Sequence, residues 1–210
     1  AIGCDEEILV APNGGSVLFY VNPFNRNTLE ILIDHLIVQP WCGNIFASHK
    51  DGVIEGTIDL SKVGLNGIRE PDLAMSFKWS DGFNDNNVQG LVYSSSGKSG
   101  DGQHGSIGLT EQQSVFIGYG PDFKENNFVT NPTGNVDITP TIIELLGIEP
   151  NNNFDGRIIK EGLTGNSQIN SELKTQRYHA KRSIGVGSYE QELEVLVLDG
   201  SVYINNAKVV

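Results

Sequence analysis

The chain has few cysteines and no long hydrophobic run. Its only two cysteines, Cys4 and Cys42, are too few for a disulfide-rich scaffold and lack the paired spacing of a zinc ribbon. They could pair in an oxidising compartment, or each could remain a small buried thiol. The longest apolar stretch, residues 29–38, is interrupted by Asp34 and His35. We therefore expect no membrane-spanning segment and no membrane partner.

Basic residues are also scarce. The 210 residues include 14 Lys and Arg against 26 Asp and Glu, which gives a formal net charge of −12. The basic residues are scattered apart from a short cluster in residues 174–182, so no electropositive surface for nucleic acid is expected. A hydrophobic fraction of 38% with 25 glycines favours a folded, loop-rich protein over a disordered one.

Alternating strand and helix patterns predict an α/β fold. Two apolar runs flank the turn residues 12–15, which predicts a β-hairpin or another strand-turn-strand unit. Apolar residues at helical spacing predict a helix over residues 25–39, with Asn25 or Asn27 as its N-cap. Strands are predicted at residues 43–48, 72–80 and 88–93. The Asp199–Gly200 dipeptide, between two alternating runs, predicts a C-terminal β-hairpin.

Two further elements are predicted in the middle of the chain. Residues 114–120, with the sequence SVFIGYG, have the composition of a short buried strand. Residues 136–147 predict a helix with Asp137 as its N-cap and Gly147 at its end. Its apolar residues should form one buried face, composed of Ile138, Ile142, Leu145 and Leu146.

Among the four histidines, His104 has an unusual setting. It lies in the glycine-rich loop that precedes residues 114–120, and Gly102 and Gly105 allow the backbone to approach an ion closely. His35, His49 and His179 lie in a helix or in polar stretches, where structural or solvent-facing roles are expected. No serine, histidine and aspartate form a familiar hydrolase arrangement, so we assign no catalytic and no cofactor-binding residue.

From residue 103 onward, five motifs follow one another in an order and spacing typical of one enzyme family. They are His104-Gly105-Ser106, Gly120-Pro121-Asp122-Phe123-Lys124, Asn135-Val136-Asp137 with Thr139-Pro140-Thr141, Leu145-Leu146-Gly147-Ile148, and Asp155-Gly156-Arg157. In these motifs the chain resembles the type I phosphodiesterase and nucleotide pyrophosphatase branch of the alkaline phosphatase superfamily. The resemblance covers roughly the C-terminal half of such an enzyme.

The resemblance implies a metal-dependent phosphoric ester hydrolase. In that family two metal ions, usually zinc, lie about 4 Å apart and clamp a phosphoryl group while a serine or threonine attacks in line. For His104 the resemblance implies the role of the last histidine ligand of one metal. It also implies the C-terminal portion of an alkaline-phosphatase-like mixed-sheet sandwich, with residues 1–165 in that domain and residues 166–210 as an extension packed on it.

The family's nucleophile and its remaining metal ligands have no counterpart in this sequence. Asp34-His35 is followed by Leu36, so it is not the family's Asp-His-Gly motif. One histidine cannot hold catalytic zinc, because three protein ligands are the usual minimum. Since the sequence begins at Ala1, we expect a processed or partial chain that is inactive alone and needs the N-terminal portion of the same enzyme as its partner.

The substrate is expected to be a phosphate ester. A relationship to the sulfatases or the phosphoglycerate mutases is an open alternative, because these branches of the superfamily have the same core fold. The alternative function is a non-catalytic binding or interaction module that keeps the scaffold without the site. The acidic composition and the signal peptides common in such enzymes favour a periplasmic or secreted location.

Overall fold

A computed structural model describes residues 7–98, 100–150, 153–165, 172–185 and 187–210. The fold is mixed α/β, with several sheets and a C-terminal three-stranded antiparallel sheet. The chain divides into two compact units. The first comprises Ala1–Gln113, Arg177–Leu193 and Asn205–Val210, and the second comprises Ser114–Gln176 and Glu194–Ile204.

The first unit is built on a five-stranded sheet. Its strands are β1 (Glu7–Asn13), β2 (Ser16–Asn22), β3 (Cys42–Ala47), β4 (Ile58–Asp59) and β5 (Leu73–Phe77). Their order in the sheet is β1-β2-β5-β3-β4. All neighbouring pairs are antiparallel except β3 and β4. The predicted hairpin around residues 12–15 is confirmed as the β1–β2 turn.

Helix α1 (Arg26–Ile37) covers this sheet and closes its core. The side-chain oxygen of Asn25 accepts hydrogen bonds from the backbone nitrogens of Asn27 (2.9 Å) and Thr28 (3.3 Å). Of the two predicted N-cap residues, Asn25 is therefore the one that caps the helix. Apolar residues at helical spacing face inward, as predicted. The buried side chains of the helix are Thr28, Leu29, Leu32, Ile33, Leu36 and Ile37, and they pack against residues of β2, β3 and β5.

The remaining strands form two smaller sheets. Strands β6 (Trp79–Phe83) and β7 (Gln89–Val92) make a hairpin. Strands β8 (Lys174–Ile184), β9 (Gly187–Leu198) and β10 (Ser201–Val209) form a sheet in the order β10-β9-β8. Between β9 and β10, Asp199 (φ 51°) and Gly200 (φ 87°) are both left-handed, as a two-residue type I′ turn requires. The predicted C-terminal hairpin is thus confirmed.

Within the first unit, a buried glutamine joins the C-terminal residues to the sheet. The side chain of Gln191, in β9, donates hydrogen bonds of 2.7 Å to the carbonyl oxygens of Ile45 and Gly56. Its own oxygen accepts from the Ile45 nitrogen (3.1 Å) and from Asn44 (3.0 Å). Nearby, the Tyr189 hydroxyl donates to the Gly43 carbonyl at 2.7 Å. Every polar group of this buried glutamine therefore has a partner.

In the second unit, helix α3 (Ile138–Leu145) follows a single 3₁₀ turn, Asn135–Asp137. Gly147 is left-handed (φ 63°) and ends the helix as predicted. The predicted buried face was wrong, because Ile142 and Leu146 are exposed and the buried positions are Pro140 and Thr141. The other two residues of the predicted face, Ile138 and Leu145, are half-buried.

The prediction of a buried strand at residues 114–120 was also wrong. Residues 113–119 form no helix, strand, turn or bend, and their side chains are exposed. The strand is absent because no neighbouring strand in the described residues pairs with it. A short connection, α2 (Leu109–Gln112), precedes this segment.

Candidate metal-binding site

His104 lies in the loop between β7 and α2, and its side chain is exposed. The backbone of this loop lies against the β1–β2 turn. The amide nitrogen of Gly15 donates a hydrogen bond of 2.7 Å to the carbonyl oxygen of His104. Gly15 is itself held on the sheet, because its carbonyl oxygen accepts from the Phe77 nitrogen at 2.9 Å. The backbone of His104 is therefore tied to a rigid sheet while its imidazole faces solvent.

Glycines make this close approach possible. A Cβ added at Gly15 would lie 2.5 Å from the Ser106 nitrogen, and one added at Gly105 would lie 2.5 Å from the Asn13 carbonyl oxygen. Gly105 also has φ +89°, a conformation that side chains rarely adopt. Gly105 was expected to let the backbone approach an ion, whereas in the structure it allows two backbone segments to meet.

Hydrogen bonds fix the loop on both sides of His104. Upstream, the side chain of Gln103 donates to the Ser96 carbonyl at 2.8 Å. Downstream, Ser106 is buried, and its hydroxyl accepts from the Gly108 nitrogen at 3.0 Å. The carbonyl of Ser106 accepts from the side chain of Gln112 at 2.8 Å. These hydrogen bonds fix the backbone on both sides of His104, so the loop holds this residue in a defined position.

The described residues do not contain a complete metal site. No group of three or more His, Cys, Asp or Glu side chains in the described ranges converges in a way that could hold an ion. Zinc sites in enzymes need about three protein ligands. His104 fits the chemistry of a zinc ligand, but it supplies a single donor. The predicted role of His104 therefore remains a prediction that depends on other ligands.

A second histidine, His49, forms an arrangement that the sequence analysis missed. Its Nε2 lies 2.9 Å from the hydroxyl of Thr57, and its Nδ1 lies 3.7 Å from a carboxylate oxygen of Asp59. A hydroxyl, an imidazole and a carboxylate in this order resemble a hydrolytic triad. No sequence pattern indicated this contact, because a Thr-x-Asp pair eight residues after a histidine is not a recognised motif.

The hydrogen bonds of Thr57 favour a structural role over a nucleophilic one. Its hydroxyl donates to the Ile54 carbonyl at 2.8 Å, so its one proton is not directed at His49. A catalytic base would instead have to accept the hydroxyl proton. Thr57 is also 4% exposed. Burial lowers the pKa of His49, and this outweighs the opposing effect of Asp59. The cluster therefore stabilises the loop after β3.

The other two histidines are solvent-facing, as expected. His35 is exposed on α1. His179, in β8, is exposed, and its Nδ1 lies 3.6 Å from a carboxylate oxygen of Glu192. Neither belongs to a described cluster of metal-ligating side chains.

Two of the family-like motifs meet in the second unit. Asp137 is fully buried, and one carboxylate oxygen accepts from the Arg157 nitrogen at 2.8 Å. The other accepts from the Gly134 nitrogen at 2.9 Å, and the hydroxyl of Tyr203 lies 3.0 Å from both. Asp137 occupies the predicted N-cap position of α3, but its side chain accepts no hydrogen bond from that helix.

The guanidinium of Arg157 extends this network. It donates to both carboxylate oxygens of Glu161, at 2.8 and 2.6 Å, and to the Pro132 carbonyl at 3.1 Å. Burial works against the charge of Glu161, but the hydrogen bonds from Arg157 outweigh it and lower the pKa of that carboxyl. These contacts are internal to the scaffold.

Of the two cysteines, Cys42 is buried in β3, and no described residue forms a disulfide bond with it. Burial raises its pKa to about 12, so it is a weak nucleophile at neutral pH. Cys4 lies outside the described residues, and the pairing of the two cysteines stays untested.

None of the helices in the described ranges combines the length and the hydropathy needed to cross a membrane. Comparisons with family models, with curated proteins and with solved structures found no match.

Proposed function

We propose that this chain is the C-terminal part of a metal-dependent phosphoric ester hydrolase in which His104 supplies one ligand to a zinc ion. The observation that carries the proposal is an exposed imidazole on a backbone fixed by glycine contacts to the central sheet. A metal ligand needs this combination, because its backbone must hold the donor still while the ring stays accessible. The ordered motifs from His104 to Arg157 support the same assignment.

In this proposal the fold is the C-terminal portion of an alkaline-phosphatase-like sandwich. When bound, a pair of zinc ions supplies Lewis-acid stabilisation of the phosphoryl group. His104 would bind one of these zinc ions, and Gly15 and Gly105 would hold the backbone of His104 in place. The nucleophile and the other ligands come from polypeptide outside these 210 residues, and the substrate is a phosphate ester. The proposed location is periplasmic or secreted.

The proposal can be tested by replacing His104 with Ala in the full product of the gene. We expect the variant to lose bound zinc, measured by elemental analysis, and to lose at least about 1,000-fold in kcat/KM toward an aryl phosphate mono- or diester. The isolated 210-residue chain should bind no zinc stoichiometrically and hydrolyse neither ester.

His35→Ala is the matched control, because His35 is an exposed histidine of the same unit that lies on α1. It should leave both zinc content and kcat/KM unchanged. A His104→Ala protein that retains its zinc and its activity would disprove the proposed ligand role.

The alternative proposal is a non-catalytic binding module on the same scaffold. It is favoured by one observation, that the described residues hold no cluster of metal-ligating side chains. It predicts that even the full gene product contains no zinc and hydrolyses no phosphate ester. Zinc analysis of that product therefore separates the two functions.

A further inference from the structure

Residues 114–119, which we call the bare segment, expose an unusual amount of apolar surface for so short a stretch. Val115 is 87% exposed, Ile117 82% and Tyr119 98%, and Phe116 is 51% exposed. Single exposed apolar residues are common on protein surfaces, but a run of four within five positions is not. Such a patch marks a surface that another element covers.

The apolar residues lie on both sides of the bare segment. In a straight chain, Val115, Ile117 and Tyr119 point to one side and Phe116 to the other. A surface strand carries polar residues on its solvent side, whereas a strand buried on both sides is apolar throughout. The sequence therefore has the pattern of a central strand, although the structure leaves it uncovered.

The backbone of the bare segment is uncovered as well. Within the described ranges, its N–H and C=O groups make no backbone hydrogen bond, and the segment contains no turn or bend. It is anchored where it ends, since the Phe123 ring packs on Gly118 and the Lys124 nitrogen donates to the Gly162 carbonyl at 2.9 Å. A straight, anchored segment with free hydrogen-bonding groups on both edges is ready to accept neighbouring strands.

We infer that the bare segment is a central strand of an incomplete sheet, and that its partners are apolar strands of polypeptide outside these 210 residues. This inference rests on the proposed function, because it places the rest of the hydrolase on this surface. The partner is thus defined chemically as uncharged, hydrophobic strands that pair with both edges, with further residues covering both faces.

Charge supports an apolar partner. Between Glu111 and Asp122 the chain has no charged residue, although its net charge is −12. A cationic or nucleic-acid ligand would find no counter-charge there. An uncharged strand that packs on such a surface buries no unpaired charge, so it avoids the desolvation cost that a charged partner would have.

A second copy of this chain fits less well. Two copies related by a twofold axis would pair one edge of each segment and leave the other edge open. The six residues of the segment are far fewer than the roughly 20–30 that each partner contributes to a stable dimer interface. Self-pairing through this segment alone therefore satisfies neither the backbone nor the interface size that a dimer needs.

Hydrogen–deuterium exchange of the peptide spanning residues 113–121 tests the inference. In the isolated 210-residue chain its amides should exchange as fast as in an unstructured peptide, at every protein concentration. In the full product of the gene they should exchange on the order of 100-fold more slowly. Equally fast exchange in both proteins would overturn the inference, and so would a gene that encodes only these residues. Protection that rises with the concentration of the isolated chain would assign the surface to a second copy instead.

A pair of variants gives an independent readout. Ile117→Lys should leave the thermal midpoint of the isolated chain unchanged, because the side chain is exposed there, and should lower that of the full product by several degrees or prevent its folding. Ile68→Lys is the matched control, since Ile68 is a fully exposed isoleucine in the first unit, and it should change neither protein. Exchange and melting require no zinc and no activity. A full product that protects the segment but has no zinc and no activity would disprove the proposed function alone. An active zinc enzyme that leaves the segment unprotected would disprove this inference alone.

Discussion

The amide nitrogen of Gly15 donates a hydrogen bond of 2.7 Å to the carbonyl oxygen of His104. This bond connects the β1–β2 turn, which is part of the sheet, to a loop far away in the sequence. Because the loop is held through its backbone, the imidazole of His104 is free to bind a ligand. The position of the proposed metal ligand thus depends on glycines more than on side-chain contacts.

Gly105→Ala should therefore destabilise the first unit. An added Cβ would lie 2.5 Å from the Asn13 carbonyl oxygen, and φ is +89°. We expect the free energy of unfolding to fall by at least about 2 kcal/mol, measured by urea denaturation. Gly102→Ala is the control, because that glycine has open space around it, and its effect should stay within about 0.5 kcal/mol. Equal stability of the two variants would show that the close approach does not constrain the loop.

Elements with a strong local signal were predictable from the sequence. The cap of α1 depends on Asn25 and the turn before β10 depends on Asp199 and Gly200, and in both cases the residue type dictates the backbone conformation. The predicted strand at residues 72–80 is instead two strands, β5 and β6. Its backbone departs from β5 at Lys78, whose nitrogen donates to the Trp41 carbonyl at 2.9 Å. A long-range contact of this kind leaves no trace in local periodicity.

Burial was harder to predict than conformation. The apolar pattern of α3 correctly predicted a helix, but Ile142 and Leu146 are exposed because burial also requires a covering layer. For the candidate site, the resemblance singled out His104, and no pattern in the sequence indicated a further ligand beside it. The contacts of Gln191 were equally invisible, because a glutamine in an alternating strand is normally expected to face water.

Replacing Gln191 with Leu should be strongly destabilising. The leucine has a similar size but leaves the two backbone groups of Ile45 and the carbonyl of Gly56 without this partner in a buried site. Asn44 keeps its hydrogen bond to the Lys208 carbonyl at 3.1 Å. Each unsatisfied buried group costs about 1–3 kcal/mol, so we expect a total loss of about 3–5 kcal/mol in urea denaturation. The same substitution at the exposed Gln89 of β7 should change stability by less than about 0.5 kcal/mol. A Gln191→Leu protein as stable as the wild type would mean that water satisfies these groups.

Glu161→Gln should destabilise the second unit most at neutral pH. The variant leaves the buried Arg157 guanidinium without its negative partner, which costs about 3 kcal/mol at pH 7. Since the pKa of Glu161 is lowered in the folded protein, its contribution is present above the ordinary pKa of a glutamate and is lost as the pH falls below it. Urea denaturation of wild type and variant should therefore give a smaller difference at pH 3 than at pH 7. A Glu172→Gln control, in an exposed ion pair, should show no difference at either pH.

Tyr203→Phe should show the opposite pH dependence. Burial, together with the charge of Asp137, raises the pKa of Tyr203 to about 12, from about 10 in an unfolded chain. The folded state therefore favours the neutral phenol, and this stabilisation is complete below pH 10 and is lost as the pH rises toward 12. At pH 7 the variant should be less stable by about 1–3 kcal/mol, because the buried Asp137 loses a donor.

Between pH 9 and pH 11.5 this difference should shrink by about 2 kcal/mol, because only the wild type has a phenol at position 203 to ionise. Urea denaturation of both proteins at pH 7, 9, 10.5 and 11.5 measures it. Ionisation of other groups, such as Cys42 and Tyr189, affects both proteins equally and cancels in the difference. A difference that stays constant over the whole range would contradict the buried Tyr203–Asp137 contact. A difference that falls toward zero above pH 11 would confirm that the neutral phenol of Tyr203 makes the contact with Asp137.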